Sequence, residues 1–146
     1  MSASSDSPAF YAYGKQSRSQ ENTIITFNGT SLNIGNVFNA TTGIFTAPVK
    51  GLYYFFFSCM KHWSFTSVTI RLMHNGAEVS TKHLRAQLNG ATGPGDNYLF
   101  LDIQATLSLN VNDTVYIVLV KGAISDMDAN WLSRATTFTG FLIQPN

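Results

Sequence analysis

Asp126-Met127-Asp128-Ala129-Asn130 sets side-chain oxygens at alternate positions, the pattern with which a loop wraps a hard cation. The helix-loop-helix form of such a site needs a glycine where Trp131 stands and a late glutamate where Thr137 stands, so that form is excluded. A calcium site of another kind stays open, with Asp96, Asp126 and Asp128 as its candidate ligands and Asp102 as a lesser one. The alternative is a solvated acidic loop, since Asp and Asn are ordinary loop residues. Other chemistries fall away. There is no Gly-x-Ser-x-Gly elbow, His-Glu-x-x-His, Cys-x-x-Cys or phosphate-cradling loop. His62, His74 and His83 lack zinc-motif spacing and read as surface histidines. No carboxylate pair stands out as an acid–base dyad, so the chain reads as non-enzymatic, with no catalytic residue. Cys59 is the sole cysteine, which rules out an internal disulfide. It lies on the apolar side of a strand-like run, where a free thiol is ordinarily buried; a reactive or intersubunit thiol is the alternative.

A second set of residues suits a sugar. Trp63, Tyr98 and Trp131 offer rings for the apolar face of a pyranose, while Asp96, Asn97, Asp126 and Asp128 offer partners for its hydroxyls. The competing reading is structural: Trp131 would cover the sheet edge beneath its loop and Trp63 would plug the end of the fold, since large aromatics are mostly buried.

Which reading holds depends on the elements that carry these residues. Between 67 and 74, Val68, Ile70 and Leu72 alternate with Ser67, Thr69 and Arg71, and Asn75-Gly76 joins this run to another at 77–84, a hairpin signature. From 98 to 109 the alternation is cleaner still, with Leu99, Leu101, Ile103, Ala105, Leu107 and Leu109 on one side. Strands are further expected at 9–13, 114–121 and 135–143, and no long segment has the helical period. Successive strands reverse direction. Counting back from the last one places loops 60–66, 85–97 and 122–134 at one end of a sandwich, and turns 75–76 and 110–113 at the other. The candidate calcium and sugar residues therefore share the first end, the apex, and adjacent loops on a rigid scaffold are a common binding surface.

The stretch from Phe27 to Phe57, with the run that leads into it, organises the rest. It opens with the β-branched run Thr23-Ile24-Ile25-Thr26-Phe27 and meets Asn28-Gly29, which predicts a tight turn. Pro48 suits a strand end. Gly51 then leads into Leu52-Tyr53-Tyr54-Phe55-Phe56-Phe57. A strand here puts Tyr53, Phe55, Phe57 and Cys59 on one side and Leu52, Tyr54 and Phe56 on the other. Both sides are apolar, so the second needs a cover of its own.

Phe27, Asn33, Phe38, Phe45, Gly51, Tyr53, Phe55 and Phe57 stand at the spacing of the globular C1q domain of the C1q and tumour-necrosis-factor superfamily, which this chain resembles. Ala9-Phe10 resembles the family's first strand and the segment 137–142 its last. Asn112-Asp113-Thr114-Val115-Tyr116 resembles a Gly-Asp-x-Val segment with Asn for Gly, a change the left-handed conformation tolerates. The resemblance implies an all-β, ten-stranded jelly-roll sandwich of two antiparallel sheets at 9–146, after a disordered lead or linker at 1–8. It implies a homotrimer, with Leu52, Tyr54 and Phe56 at the subunit interface, and calcium held in apical loops of some members.

Composition is compatible with this. At 146 residues the chain is one domain, 45% hydrophobic and 12% charged, about half the usual charged fraction. Few charges with many aromatics point to buried subunit faces. Net charge is +1 without a run of Lys or Arg, so no footprint for nucleic acid is visible. No stretch is long enough to span a membrane. No signal peptide is visible in the polar start, so an extracellular location rests on the resemblance. Sequons at Asn28, Asn39 and Asn112 occur at the rate that an Asn-, Ser- and Thr-rich chain gives by chance. The expected function is a secreted, lectin-like recognition module of innate-immune type, binding glycans, microbial surfaces or protein ligands. The alternatives are a structural trimerisation head of a matrix or collagen-like protein and a secreted receptor ligand.

Overall fold

The computed structural model describes residues 6–14, 17–62, 64–85, 99–125 and 135–146. Among them lie twelve strands and no helix. In chain order they are β1 (Ala9–Tyr13), β2 (Thr23–Ile24), β3 (Gly29–Ile34), β4 (Phe38–Asn39), β5 (Ile44–Thr46), β6 (Gly51–Lys61), β7 (Ser67–His74), β8 (Ala77–Arg85), β9 (Leu99–Leu109), β10 (Thr114–Gly122), β11 (Ile124–Ser125) and β12 (Thr137–Pro145). They form the two-sheet antiparallel sandwich expected from the sequence, with two-residue pieces such as β2 and β11 raising the strand count above ten. β6 is the hub of the first sheet. β9 pairs with it from Gly51 to Lys61, so the other edge is shared by β12 and, beyond it, β11. β1 and β3 follow outside β12. The second sheet runs β4-β5-β10-β7-β8, with β2 on β10.

The alternation read in the sequence is the burial pattern. Tyr53, Phe55, Phe57 and Cys59 point into the sandwich, and so do Val68, Ile70 and Leu72. Cys59 is fully buried there, as a thiol on the apolar side of a strand ordinarily is. Aromatic rings fill the centre. Phe10 stacks on Phe38 with centroids 4.3 Å apart, and Phe138 meets Phe10, Phe27, Phe38, Phe55 and Phe57 at 5.1–6.2 Å.

Local chemistry fixes the turns. Asn75 and Gly76 have φ of 51° and 84°, the left-handed pair that a two-residue hairpin between right-twisted strands requires. Asn33 clamps the bend after β3: its Oδ1 accepts from the Val37 and Phe38 amides, and its Nδ2 donates to the Phe38 carbonyl. Pro48 falls between β5 and β6, as a strand-end proline should. Asn28-Gly29 corrects an expectation, for neither residue takes positive φ and no tight turn forms there. Gly29 instead starts β3 opposite Tyr13, and a Cβ on it would lie 2.7 Å from the Tyr13 hydroxyl. The glycine serves close approach, not reversal.

One end of the sandwich is tied by Asp113. Its Oδ1 accepts from Asn75 Nδ2 and its Oδ2 from the Asn110 amide and His74 Nε2, each at 2.9 Å, while Asn75 Oδ1 accepts from the Thr114 amide. Asn112 beside it has φ of 72°, the left-handed conformation that glycine or asparagine permits. The bonds from Asn75, Asn110 and His74 hold the Asp113 carboxyl at about 2, below its ordinary 3.8. A depressed carboxyl stabilises the fold fully above its unfolded value and loses that contribution as pH falls from 3.8 through about 2. Asp113→Ala should therefore lower melting at neutral pH and flatten the acid limb of a melting-temperature profile in that window. An unchanged acid limb would show that the carboxylate does not tie the two turns. Pro8 and Asn146 both lie at this base: β1 runs away from it and β12 towards it, with the Leu142 amide on the Pro8 carbonyl and the Asn146 amide on the Lys50 carbonyl.

Candidate functional site

Two surfaces follow from this scaffold. The first is the outer face of the β6 sheet. Leu52, Tyr54 and Phe56 alternate with the buried Tyr53, Phe55 and Phe57 and are half-buried in the single chain. Register extends their face sideways. Tyr54 lies opposite Phe141 of β12 and Thr106 of β9; Phe56 lies opposite Thr139 and Gln104. The Tyr54 ring sits 5.6 Å from that of Phe141, and its hydroxyl donates to Gln104 Oε1. Further out, Tyr11 and Leu32 face each other on β1 and β3, and Phe100 opposes Met60. Phe100, Ile143 and Phe141 are 57%, 49% and 42% exposed. Asp102, opposite Ser58, is the charged side chain these strands place on that face. Phe100, Phe141, Ile143, Tyr11 and Leu32 are exposed apolar residues that the sequence reading of Leu52, Tyr54 and Phe56 did not include. Their signal was the apolar member on the second phase of a strand, which is visible once register is known.

The second surface is the apical end. Trp63, Asp96, Asn97, Tyr98, Asp126, Asp128 and Trp131 all lie outside the described residues. What the fold does fix is where their loops are rooted. Lys61 pairs with Leu99 and with Ile124, Met60 with Phe100 and with Ser125, and Ser58 with Thr137. On the other sheet Ser67 meets Arg85 and Val68 meets Gly122. The strand ends that flank all three loops are thus neighbours.

Lys61 is an addition that the sequence did not signal. It ends β6 fully buried, and its ammonium donates to the carbonyls of His62 at 3.0 Å and Phe65 at 2.6 Å, pinning the turn at 62–65. Burial holds its pKa below the ordinary lysine value. Within the same turn His62 Nδ1 accepts from the Ser64 amide, and burial, then the Lys61 ammonium, keep that ring below its usual pKa. His74 is bound to Asp113 and His83 to Thr69, and among the described residues no three His, Cys, Asp or Glu side chains converge as metal ligands. No helix among them is long and apolar enough to cross a membrane.

Comparison with known proteins meets this geometry. Residues 9–143 match the family described as "C1q domain". The chain is 36% identical over 125 residues to "Complement C1q tumor necrosis factor-related protein 3" of Homo sapiens, and equally to that of Mus musculus. The match covers 86% of this chain and 46% of each relative, so the chain spans about half the length of the curated relatives it matches. Among solved structures, "Globular Domain of Zebrafish Complement 1qA protein" superposes with a TM-score of 0.72 at 25% identity, over 95% of this chain and 99% of that one. "Structure of Eiger TNF from S. frugiperda" gives the same TM-score at 13% identity, over 96% and 94%, a likeness of fold alone.

Proposed function

The chain belongs to the C1q domain family, and from that premise we propose that it is a non-enzymatic extracellular recognition module that works as a homotrimer. One observation carries the reading: β6 is apolar on both faces, and the face that does not enter the core is exposed in the single chain over several strands. Burying such a surface against two further copies removes a patch that a monomer in water would not keep. Sedimentation at micromolar concentration is expected to give a mass near three chains, and a clean monomer would overturn the proposal.

The ligand, in this reading, is a glycan or another polar surface group held at the apex by Trp63, Asp96, Asn97, Tyr98, Asp126, Asp128 and Trp131. The neighbouring roots of their loops support it, and three copies in a trimer would let weak sites act together through avidity. Calcium among Asp96, Asp126 and Asp128 belongs to the same proposal, because clustered carboxylates repel one another without a cation. A glycan array probed with the protein in calcium and again after chelation tests both parts. Binding that needs calcium and disappears in Trp131→Ala, with melting unchanged, is the expected result. If Trp131→Ala lowers stability by about 3–5 kcal/mol, as emptying a buried aromatic site does, and the array signal persists, the tryptophan is a plug and the apical site falls.

A further inference from the structure

On the second sheet, strand pairing gathers basic side chains that the sequence scatters. Val68, Ile70 and Leu72 of β7 face the core, so Ser67, Thr69 and Arg71 face out. Opposite them on β8 stand Arg85, His83 and Thr81; on the other side Lys121 of β10 lies opposite Thr69. Arg85, His83, Arg71 and Lys121 thus share one exposed side of three adjacent strands. Residues two apart on a strand are roughly 7 Å apart and next-but-one strands about 10 Å, so the four lie within a patch the size of a disaccharide or two.

Two acids border the patch: Glu78 beside Arg71, and Glu21, whose carboxylate accepts from the Gly122 amide next to Lys121. The one acid on this side of β7 and β8 is Glu78, whose carboxylate accepts from the Thr81 hydroxyl at 2.6 Å and stands 3.8 Å from Arg71 Nε. Among the described residues Arg85 and Lys121 are in no ion pair. Hydroxyls hold the basic groups in place: Thr81 Oγ1 accepts from Arg71 Nε at 3.1 Å, and Thr69 Oγ1 lies 2.7 Å from His83 Nδ1.

We propose that this outer face of β10-β7-β8 binds sulfated glycan chains. A three-strand surface with outward Arg and Lys side chains and interleaved hydroxyls matches a linear chain carrying sulfates and sugar hydroxyls. The cluster of Arg85, His83 and Lys121 carries no Phe, Tyr or Trp; the aromatic of this face, Tyr116, stands one row beyond Arg71, opposite Met73, so a single ring borders the patch where single-stranded nucleic acid needs a series of stacking faces and a lipid surface a broad apolar wedge. The face lies on the opposite side of the sandwich from Tyr54 and Phe56, so it neither depends on the trimer nor competes with it.

The test is binding of a heparin-derived octasaccharide by calorimetry at near-physiological salt. Arg85→Ser with Lys121→Ser is compared with Lys50→Ser with Lys82→Ser, which removes the same charge. Lys82 is the sharp control, since it lies on β8 opposite the core residue Ile70 and belongs to the other phase of the strand. The face double variant should bind at least about tenfold more weakly, and the control double variant should bind like the unsubstituted chain. Equal losses in the two, or no binding by the unsubstituted chain, would overturn the proposal. So would duplex DNA of matched charge, or anionic phospholipid vesicles, competing as well as the octasaccharide. Sedimentation of the same samples keeps the two readings apart: a monomer with the expected binding pattern would sink the trimer and leave this surface standing.

Discussion

Phe138→Ala is expected to cost about 3–5 kcal/mol, which for a domain of this size lowers melting by roughly 10 °C or more. Phe138 is fully buried on β12 and touches five other rings, from Phe10 on the same sheet to Phe38 on the facing one. Alanine would leave a void bordered by rings held on strands of two sheets, and such walls collapse poorly. Phe138→Leu refills most of the volume and should recover the larger part of the loss. Denaturant unfolding of the three proteins measures it. A loss under about 1 kcal/mol for the alanine variant would mean that the ring cluster is not the centre of the core.

Tyr54→Asp is expected to leave the subunit folded and take the trimer apart. Tyr54 stands on the outer face of β6, and its partners, Phe141 and Gln104, are on that face too. In a closed trimer three carboxylates would enter an apolar contact, at about 3 kcal/mol or more each, which weakens association by at least roughly a hundredfold. Tyr53→Asp is the contrasting variant. Tyr53 is fully buried, with its hydroxyl donating to the Val49 carbonyl at 2.6 Å, and a charge there should unfold the chain. Circular dichroism and sedimentation separate the outcomes. A Tyr54→Asp chain that unfolds, or that still sediments as three, would contradict the assignment of faces.

The division of 52–57 into two faces was legible in the sequence, because a strand's side chains alternate with period two; which face enters the core was not, since both are apolar. The core followed from the same rule at β7 and β9. The ends of the sandwich followed from strand reversal, which needs only a count. The rest was hidden for physical reasons. Asn28-Gly29 has turn composition, yet Gly29 answers to the Tyr13 ring across β1, a contact between residues distant in sequence. The burial of Lys61 depends on two carbonyls of a turn that period cannot describe. The cationic ribbon appears only when β7, β8 and β10 are placed in register; the linear text shows no basic run at all. The apical side chains belong to loops, and no periodicity orients a loop residue, so the sequence fixes their end of the molecule and stops there.

Because β1 leaves the base as β12 returns to it, the Pro8 and Asn146 ends are near neighbours on the side away from the loops. Copies of the domain can therefore be joined in one polypeptide by short flexible connectors confined to that side. A three-copy fusion of this kind would carry one altered subunit beside two intact ones. Stoichiometry then becomes an adjustable variable: one, two or three unaltered subunits per particle, with the contribution of valency read directly from the same fold.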